Sequence, residues 1–289
     1  MNSFDVFVPD SWLDLDLCLR SGQVFRWRKE VDGSWVGVDG QYSFRFNRTS
    51  QGLSIQSAGQ ESDVAHLFRL DVDAGQVLNQ VLSAGDELTS AIDSLRGIRL
   101  MRSSNVVETF FTFMCSANNN LARIIPMAWK LGDFGQKLET GFHQFPTVER
   151  IASILPDELR KLGFGYRGAT IPTAARALLE RGGEDWLESL KISDYRTVHS
   201  ELVAIPGIGS KLADCICLYG YDFGEAVPLD THLWQAFTRI YHPQWKTKAV
   251  TDFRYRESTD RFRERFGKLA GWAHLFLYFA NQQQKKSHS

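Results

Sequence analysis

The sequence is poor in cysteine, has almost no net charge, and contains no apolar run long enough to cross a bilayer. The longest such run, LAGWAHLFLYFA at 269–280, falls short of the roughly 20 residues a membrane helix needs and carries a histidine, so it reads as a buried helix. The N-terminal MNSFDVFVPDSW has no basic segment followed by an apolar core, so no secretion signal is expected and an intracellular protein is. The four cysteines, Cys18, Cys115, Cys215 and Cys217, include no C-x-x-C pair and no Cys/His run with zinc spacing. They are also too scattered for the clustered four-cysteine set of an iron–sulfur site, which leaves buried, reduced thiols. A net charge of −1 argues against nucleic-acid binding by bulk electrostatics. The average hides an asymmetry: residues 1–100 hold 9 Lys and Arg against 14 Asp and Glu, and the remainder holds 24 against 20. An acidic front and a mildly basic back are compatible with DNA binding through the back alone.

What is present is a globular composition, 43% hydrophobic and 23% charged, in a chain of 289 residues, enough for two domains or one large one. From about 22 to 56, VFRW, SWVGV, YSFRF and LSIQ are separated by the turn signals VDG, VDG and NRTSQG, which predicts an antiparallel meander. After about residue 61 apolar residues recur three and four apart, as in NVVETFFTFMCSA and YRTVHSELVAI, so the rest is expected to be helical. The fold class is α+β, with an N-terminal antiparallel β domain and its flanking helices over 1–102 and an all-helical region over 103–289. The charge run RFRERFGK at 261–268 reads as a solvated helix face.

Within YRTVHSELVAIPGIGSKLADCICLYG the pattern is helix, tight turn, helix. Gly207 and Gly209 bare backbone N–H groups, which together with a helix N-terminus make a site suited to a DNA phosphate. Lys211 follows in the first turn of the second helix, the positive end of the dipole, where an acid is the favoured choice. An ammonium disfavoured by such surroundings gives up its proton more readily and becomes a usable nucleophile. In VPLDTHLWQAF, Asp230 stands where an N-cap would, 19 residues after Lys211, and a carboxylate beside the lysine could stabilise positive charge developing on a sugar.

The run LVAIPGIGSKLADCICLYGYDFGEAVPLDTHLW resembles the helix-hairpin-helix signature of the DNA glycosylase superfamily, and specifically the 8-oxoguanine DNA glycosylases of the Ogg type. SGQVFRWR at 21–28, CSANNNLARI at 115–124, LGFGYRGA at 162–169 and AGWAHLFLYFA at 270–280 extend the resemblance over nearly the whole chain. The resemblance implies a bifunctional glycosylase and AP lyase of base excision repair, in which Lys211 attacks the sugar C1′ of a flipped nucleotide and Asp230 stabilises the charge. It places Gly22, His274, Tyr278 and Cys215 at the lesion base, Asn118, Arg123, Tyr166 and Arg167 at the opposite base, and His232 with the hairpin at a DNA phosphate. It implies no cofactor for the chemistry, no iron–sulfur cluster, and at most a structural monovalent cation at the hairpin. The implied partner is double-stranded DNA containing an oxidised purine, bound by a monomer without any membrane association. Two positions depart from the family: His274 stands where a glutamine is usual, and Tyr278 where a phenylalanine stacks on the base. An unperturbed histidine there, titrating near 6.5, predicts a lesion preference that varies between about pH 5.5 and 7.5. The alternatives are the same chemistry on another oxidised purine, or a hairpin DNA-binding module that has lost its chemistry.

Overall fold

The alternating segments fold into the strands they predict, with one more at the edge. In the computed structural model, residues 2–9, 11–84 and 95–286 are described, apart from the side chains of His232, Ile240 and 282–286. β1 (Asn2–Phe7), β2 (Trp27–Lys29), β3 (Trp35–Asp39), β4 (Tyr42–Arg48) and β5 (Gly52–Ser57) form one antiparallel sheet in the order β1-β5-β4-β3-β2. β1 has no counterpart in the sequence reading because only Val6 of its six residues is buried. Backbone pairing with β5, from Asn2 opposite Ser57 to Phe7 opposite Gly52, makes it a strand. Trp27 stacks on Phe46 at 5.1 Å between ring centroids and helps form the core face of the sheet.

Helices follow and flank the sheet: α1 (Leu15–Arg20), α2 (Glu61–Leu67), α3 (Ala74–Ser83), α4 (Val106–Ser116), α5 (Leu121–Gly132), α6 (Val148–Ser153) and α7 (Pro156–Lys161). Then come α8 (Arg167–Leu179), α9 (Gly183–Ser189), α10 (Tyr195–Val203), α11 (Ser210–Gly220), α12 (Thr231–Tyr241), α13 (Asp252–Phe266) and α14 (Ala270–Lys286). Several begin on side-chain caps, among them Asn105, Asn120, Asp194 and Thr251. α4 is the central helix, buried from Val106 through Cys115.

The segment predicted as the first strand starts later than expected, because residues 22–26 are recruited into the interface between sheet and helices. Gln23 donates from Nε2 to the Arg99 carbonyl at 3.0 Å and accepts from the Met101 amide at 2.9 Å. The fully buried Arg26 is bidentate on Glu108 of α4, at 2.8 and 2.6 Å, and donates to the His143 carbonyl. Removing one member would leave an unpaired buried charge, so this pair locks the 22–26 turn onto α4. The charge run of α13 is only partly a solvated face. Arg261 is exposed and pairs with Glu257, whereas Phe262 is buried and Arg263 turns inward onto Tyr195.

Candidate active site

Between α10 and α11 the chain reverses through Pro206 and Gly207, closed by the Ile208 amide donating to the Ile205 carbonyl at 3.1 Å. Gly207 has φ +88°, the value the third position of a type II turn requires, and a Cβ there would come within 3.2 Å of Met114 Cε. Gly209 precedes α11 in an extended conformation and supplies no capping side chain, so first-turn amides remain available to an anion.

Lys211, the second residue of α11, is half-buried, with Nζ 5.6 Å from the centroid of the Phe113 ring. Phe113 in turn lies flat against Tyr219 at 5.4 Å, so the lysine emerges beside an aromatic wall contributed by α4 and α11. One turn on, burial pushes the Cys215 thiol up to about 11, against the opposing pull of the Lys211 charge and its hydrogen bond. Asp230 does cap α12: its Oδ1 accepts from the Leu233 amide at 2.8 Å.

Lys211 and Asp230 line the same cavity of about 650 Å³. Gly22, Asn118, Gly207, Gly209, Cys215, His274 and Tyr278 line it as well, so residues from both ends of the chain converge there. Gly22 has φ +80°, and a Cβ on it would sit 2.7 Å from Leu121 Cδ2, so its place against α5 suits glycine alone. Tyr278 is half-buried on α14, edge-on to Phe279.

His274 is buried, with Nε2 2.8 Å from the Pro228 carbonyl. A carbonyl can only accept, which assigns the proton to Nε2 and leaves Nδ1 as an acceptor; Nδ1 has no hydrogen-bond partner among the described residues. Burial pushes its pKa down to about 4, assisted by the Lys211 charge and opposed by Asp230 and the bond to Pro228. The expectation of a histidine titrating near neutrality is therefore corrected: burial disfavours the charged ring, which is neutral throughout pH 5.5–7.5.

The opposite-base candidates form a second group beside this cavity. Asn118 is shared between the two and has φ +49°, a left-handed conformation at the bend after α4. Arg167 is buried, donates to the carbonyls of Ala117 and Asn118, and packs over the Tyr166 ring at 4.6 Å. Tyr166 is 55% exposed and donates to the Ala117 carbonyl at 3.1 Å. Arg123 is exposed in the first turn of α5. Neither Arg123, Tyr166 nor Arg167 lines the cavity. Asn119 and Asn120 have local work, bonding the Cys115 carbonyl and capping α5. The side chain of His232 lies outside the described residues.

Sequence reasoning missed Phe113, Gln23 and Tyr255, which also line the cavity. Phe113 belongs to a run of apolar residues with nothing to distinguish it, and Tyr255 sits in a charged helix. Among the described residues no group of three or more His, Cys, Asp or Glu could hold a metal ion, and no helix is long and apolar enough to cross a membrane.

A hairpin with bare amides, opening a helix whose lysine shares a cavity of about 650 Å³ with a helix-capping aspartate, fits a helix-hairpin-helix DNA glycosylase with lyase chemistry. Comparison with known proteins agrees. Residues 5–110 match the model of the 8-oxoguanine DNA glycosylase N-terminal domain, and residues 111–261 match that of the HhH-GPD superfamily base excision DNA repair proteins. The chain belongs to this HhH-GPD superfamily and is an Ogg-type member of it. It is 29% identical to the N-glycosylase/DNA lyase OGG1 of Arabidopsis thaliana, over 98% of this chain and 81% of that protein. It is 29% identical to the N-glycosylase/DNA lyase of Saccharomyces cerevisiae, over 94% and 84%. Among solved structures, the Clostridium acetobutylicum 8-oxoguanine glycosylase/lyase, in complex with double-stranded DNA containing cytosine opposite 8-oxoG, superposes with a TM-score of 0.82 at 25% identity. That match covers 94% of this chain and 93% of the other.

Proposed function

We propose that the protein, acting as a monomer on double-stranded DNA, excises 8-oxoguanine paired with cytosine and then cleaves the strand through a Schiff base on Lys211. The observation that carries this reading is the convergence of Lys211 and Asp230 on one cavity with Gly22 and Tyr278. The target nucleotide must leave the stack to reach it. Lys211 Nζ then attacks C1′, the C1′–N9 bond breaks, and the base departs with the bonding pair and takes up a proton. The attacking nitrogen gives up one of its two protons, its lone pair then opens the sugar ring, O4′ takes up a proton, and the iminium that remains keeps one N–H. Abstraction of a C2′ proton then expels the 3′ phosphate by β-elimination. Asp230 supplies the negative charge facing the electron-poor sugar. The hairpin amides at Gly207 and Gly209, with His232, would hold a phosphate. Carbonyl oxygens of the 205–209 turn are the neutral donors a monovalent cation takes, and no chemical step passes through such an ion.

Lesion choice follows from donor and acceptor chemistry. Position 7 is an acceptor in guanine and an N–H donor in 8-oxoguanine, so a Gly22 carbonyl facing it attracts the lesion and repels the normal base. Tyr278 would stack on the base, with Cys215 packed beside it. Neutral His274 offers Nδ1 as acceptor only, which suits the N1–H and N2–H donors of a guanine edge and opposes the N1 acceptor of adenine. The family's glutamine can donate as well as accept. His274 thus favours oxidised guanines over oxidised adenines and leaves other oxidised guanines open as substrates. Excision of 8-oxoguanine relative to 8-oxoadenine is expected to stay constant within about twofold from pH 5.5 to 7.5, since an imidazole with its pKa pushed down to about 4 does not titrate there. A ratio following a titration near 6.5 would mean that the ring is protonated when DNA is bound.

For the opposite base, Arg167 and Arg123 would turn to the acceptors of the unpaired cytosine while Tyr166 enters the vacated stack. The free protein keeps Arg167 on the carbonyls of Ala117 and Asn118, bonds that it would exchange for the base. Replacing Arg167 or Arg123 with Ala should narrow the advantage of cytosine over other partner bases by about 1 to 3 kcal/mol, read from single-turnover rates. Equal weakening against all four partners would mark a phosphate contact instead.

The test of the whole reading is borohydride trapping with duplexes carrying 8-oxoguanine or another oxidised purine opposite each base. The 8-oxoguanine duplex with cytosine should give the most adduct. Stronger trapping on another lesion would reassign the substrate, and binding without trapping on any would leave a DNA-binding module.

A further inference from the structure

The chemistry above does not use Asp214, an acid with 0% exposure located one turn after Lys211 on α11. Its Oδ1 accepts from the Tyr195 hydroxyl at 2.5 Å and its Oδ2 from the Tyr255 hydroxyl at 2.5 Å. Tyr195 Oη also accepts from Arg263 Nη1 at 3.0 Å, and His199 Nε2 lies 3.9 Å from Asp214 Oδ2. On the other side, Tyr255 Oη accepts from the buried Leu229 amide at 3.4 Å and lies 3.2 Å from the Val227 carbonyl. A continuous hydrogen-bond chain therefore runs from Arg263 through Tyr195, Asp214 and Tyr255 to the residue immediately before Asp230.

The segment 226–230 belongs to no helix or strand, and beyond the backbone bonds at Ala226 and Asp230 its buried backbone groups depend on side-chain partners. Tyr255 holds it at Leu229, and His274 holds it at Pro228 through the Nε2–H bond. A buried acid adds nothing to packing that an apolar residue of similar size could not supply, so the location of this one is informative. It joins the helix that carries Lys211 to the loop that carries Asp230.

We infer that Asp214 and Tyr255 are positioning residues that set the placement of the Asp230 carboxylate relative to Lys211. The inference rests on the roles given to Lys211 and Asp230 above. It assigns to α13, through Tyr255, a part in the reaction as a brace for the loop before α12. Displacements of about 1 Å in a reacting constellation cost on the order of a hundredfold in rate. The chain has only to prevent a shift of that size.

The experiment is a double-mutant cycle on the full-length protein with an 8-oxoguanine duplex opposite cytosine. Tyr255→Phe should lower the single-turnover rate of base release by about ten- to a hundredfold. Its dissociation constant for a duplex with a non-hydrolysable lesion analogue should stay within about twofold, because the deleted hydroxyl is engaged by Asp214 and Leu229 and the ring that lines the cavity is kept. In an Asp230→Asn background the same hydroxyl deletion should change the rate by less than about threefold, since there is no longer a carboxylate to place. Loss by the same factor in both backgrounds, or no loss in the native one, overturns the inference. If Asp230→Asn alone leaves the rate unchanged, the reading beneath fails first and is identified as the failure. Should Tyr255→Phe not fold, Asp214→Asn replaces it in the same cycle. That variant preserves shape and one acceptor oxygen, and is held to the same two outcomes.

Discussion

Lys211→Gln is expected to bind lesion-containing DNA and to show no borohydride-trapped adduct, no base release and no cleavage at a preformed abasic site. Glutamine keeps most of the length and helix propensity of lysine, so the first turn of α11 and the packing beside Phe113 should survive. It has no amine, so neither the bond to C1′ nor the iminium can form. Abasic-site cleavage separates this loss from a defect in base reading, because such a substrate has no base to read and still needs the amine. Normal trapping by the variant would remove Lys211 from the chemistry and leave the half-buried lysine as a phosphate contact.

Asp230→Asn is expected to slow base release by at least about a hundredfold, the magnitude lost when a preorganised charge is removed from a reacting centre. Asparagine caps helices about as well as aspartate, so the bond from the Leu233 amide can persist and the melting temperature should hardly move. The charge is what is deleted. On the proposed reading one side chain has two tasks, Oδ1 holding the start of α12 and the carboxylate serving the cavity it lines, and this substitution separates them. A variant with unchanged single-turnover rate and unchanged stability would reduce Asp230 to a cap.

What was legible beforehand depended on near neighbours in the chain. The Pro206 and Gly207 turn, the lysine misplaced at a helix N-terminus and the cap at Asp230 follow from rules reaching three or four residues. The alternation behind β3 to β5 and the helical spacing behind α4 and α10 follow from equally local periods. The resemblance added the residues that no local rule marks, Gly22 and His274 above all.

Other features came only from burial and from partners far away in sequence. β1 exists because β5 offers an open edge; Gly22 lies against Leu121 of α5, and Arg26 is locked to Glu108, 82 positions away. Arg263, while paired with Asp260 on its own helix, also reaches the Tyr195 hydroxyl. His274 reads as an ordinary histidine in sequence and becomes a neutral acceptor in the fold, since the cost of charging an imidazole depends on the water around it. The brace at Asp214 and Tyr255 joins residues 41 apart that no periodicity connects. The sequence alone determined most of the elements and all of the chemical groups this protein carries. The tertiary structure decided which of those groups share a cavity, which are buried and which hold the others in place, because solvation and spacing are set by the packing of distant segments.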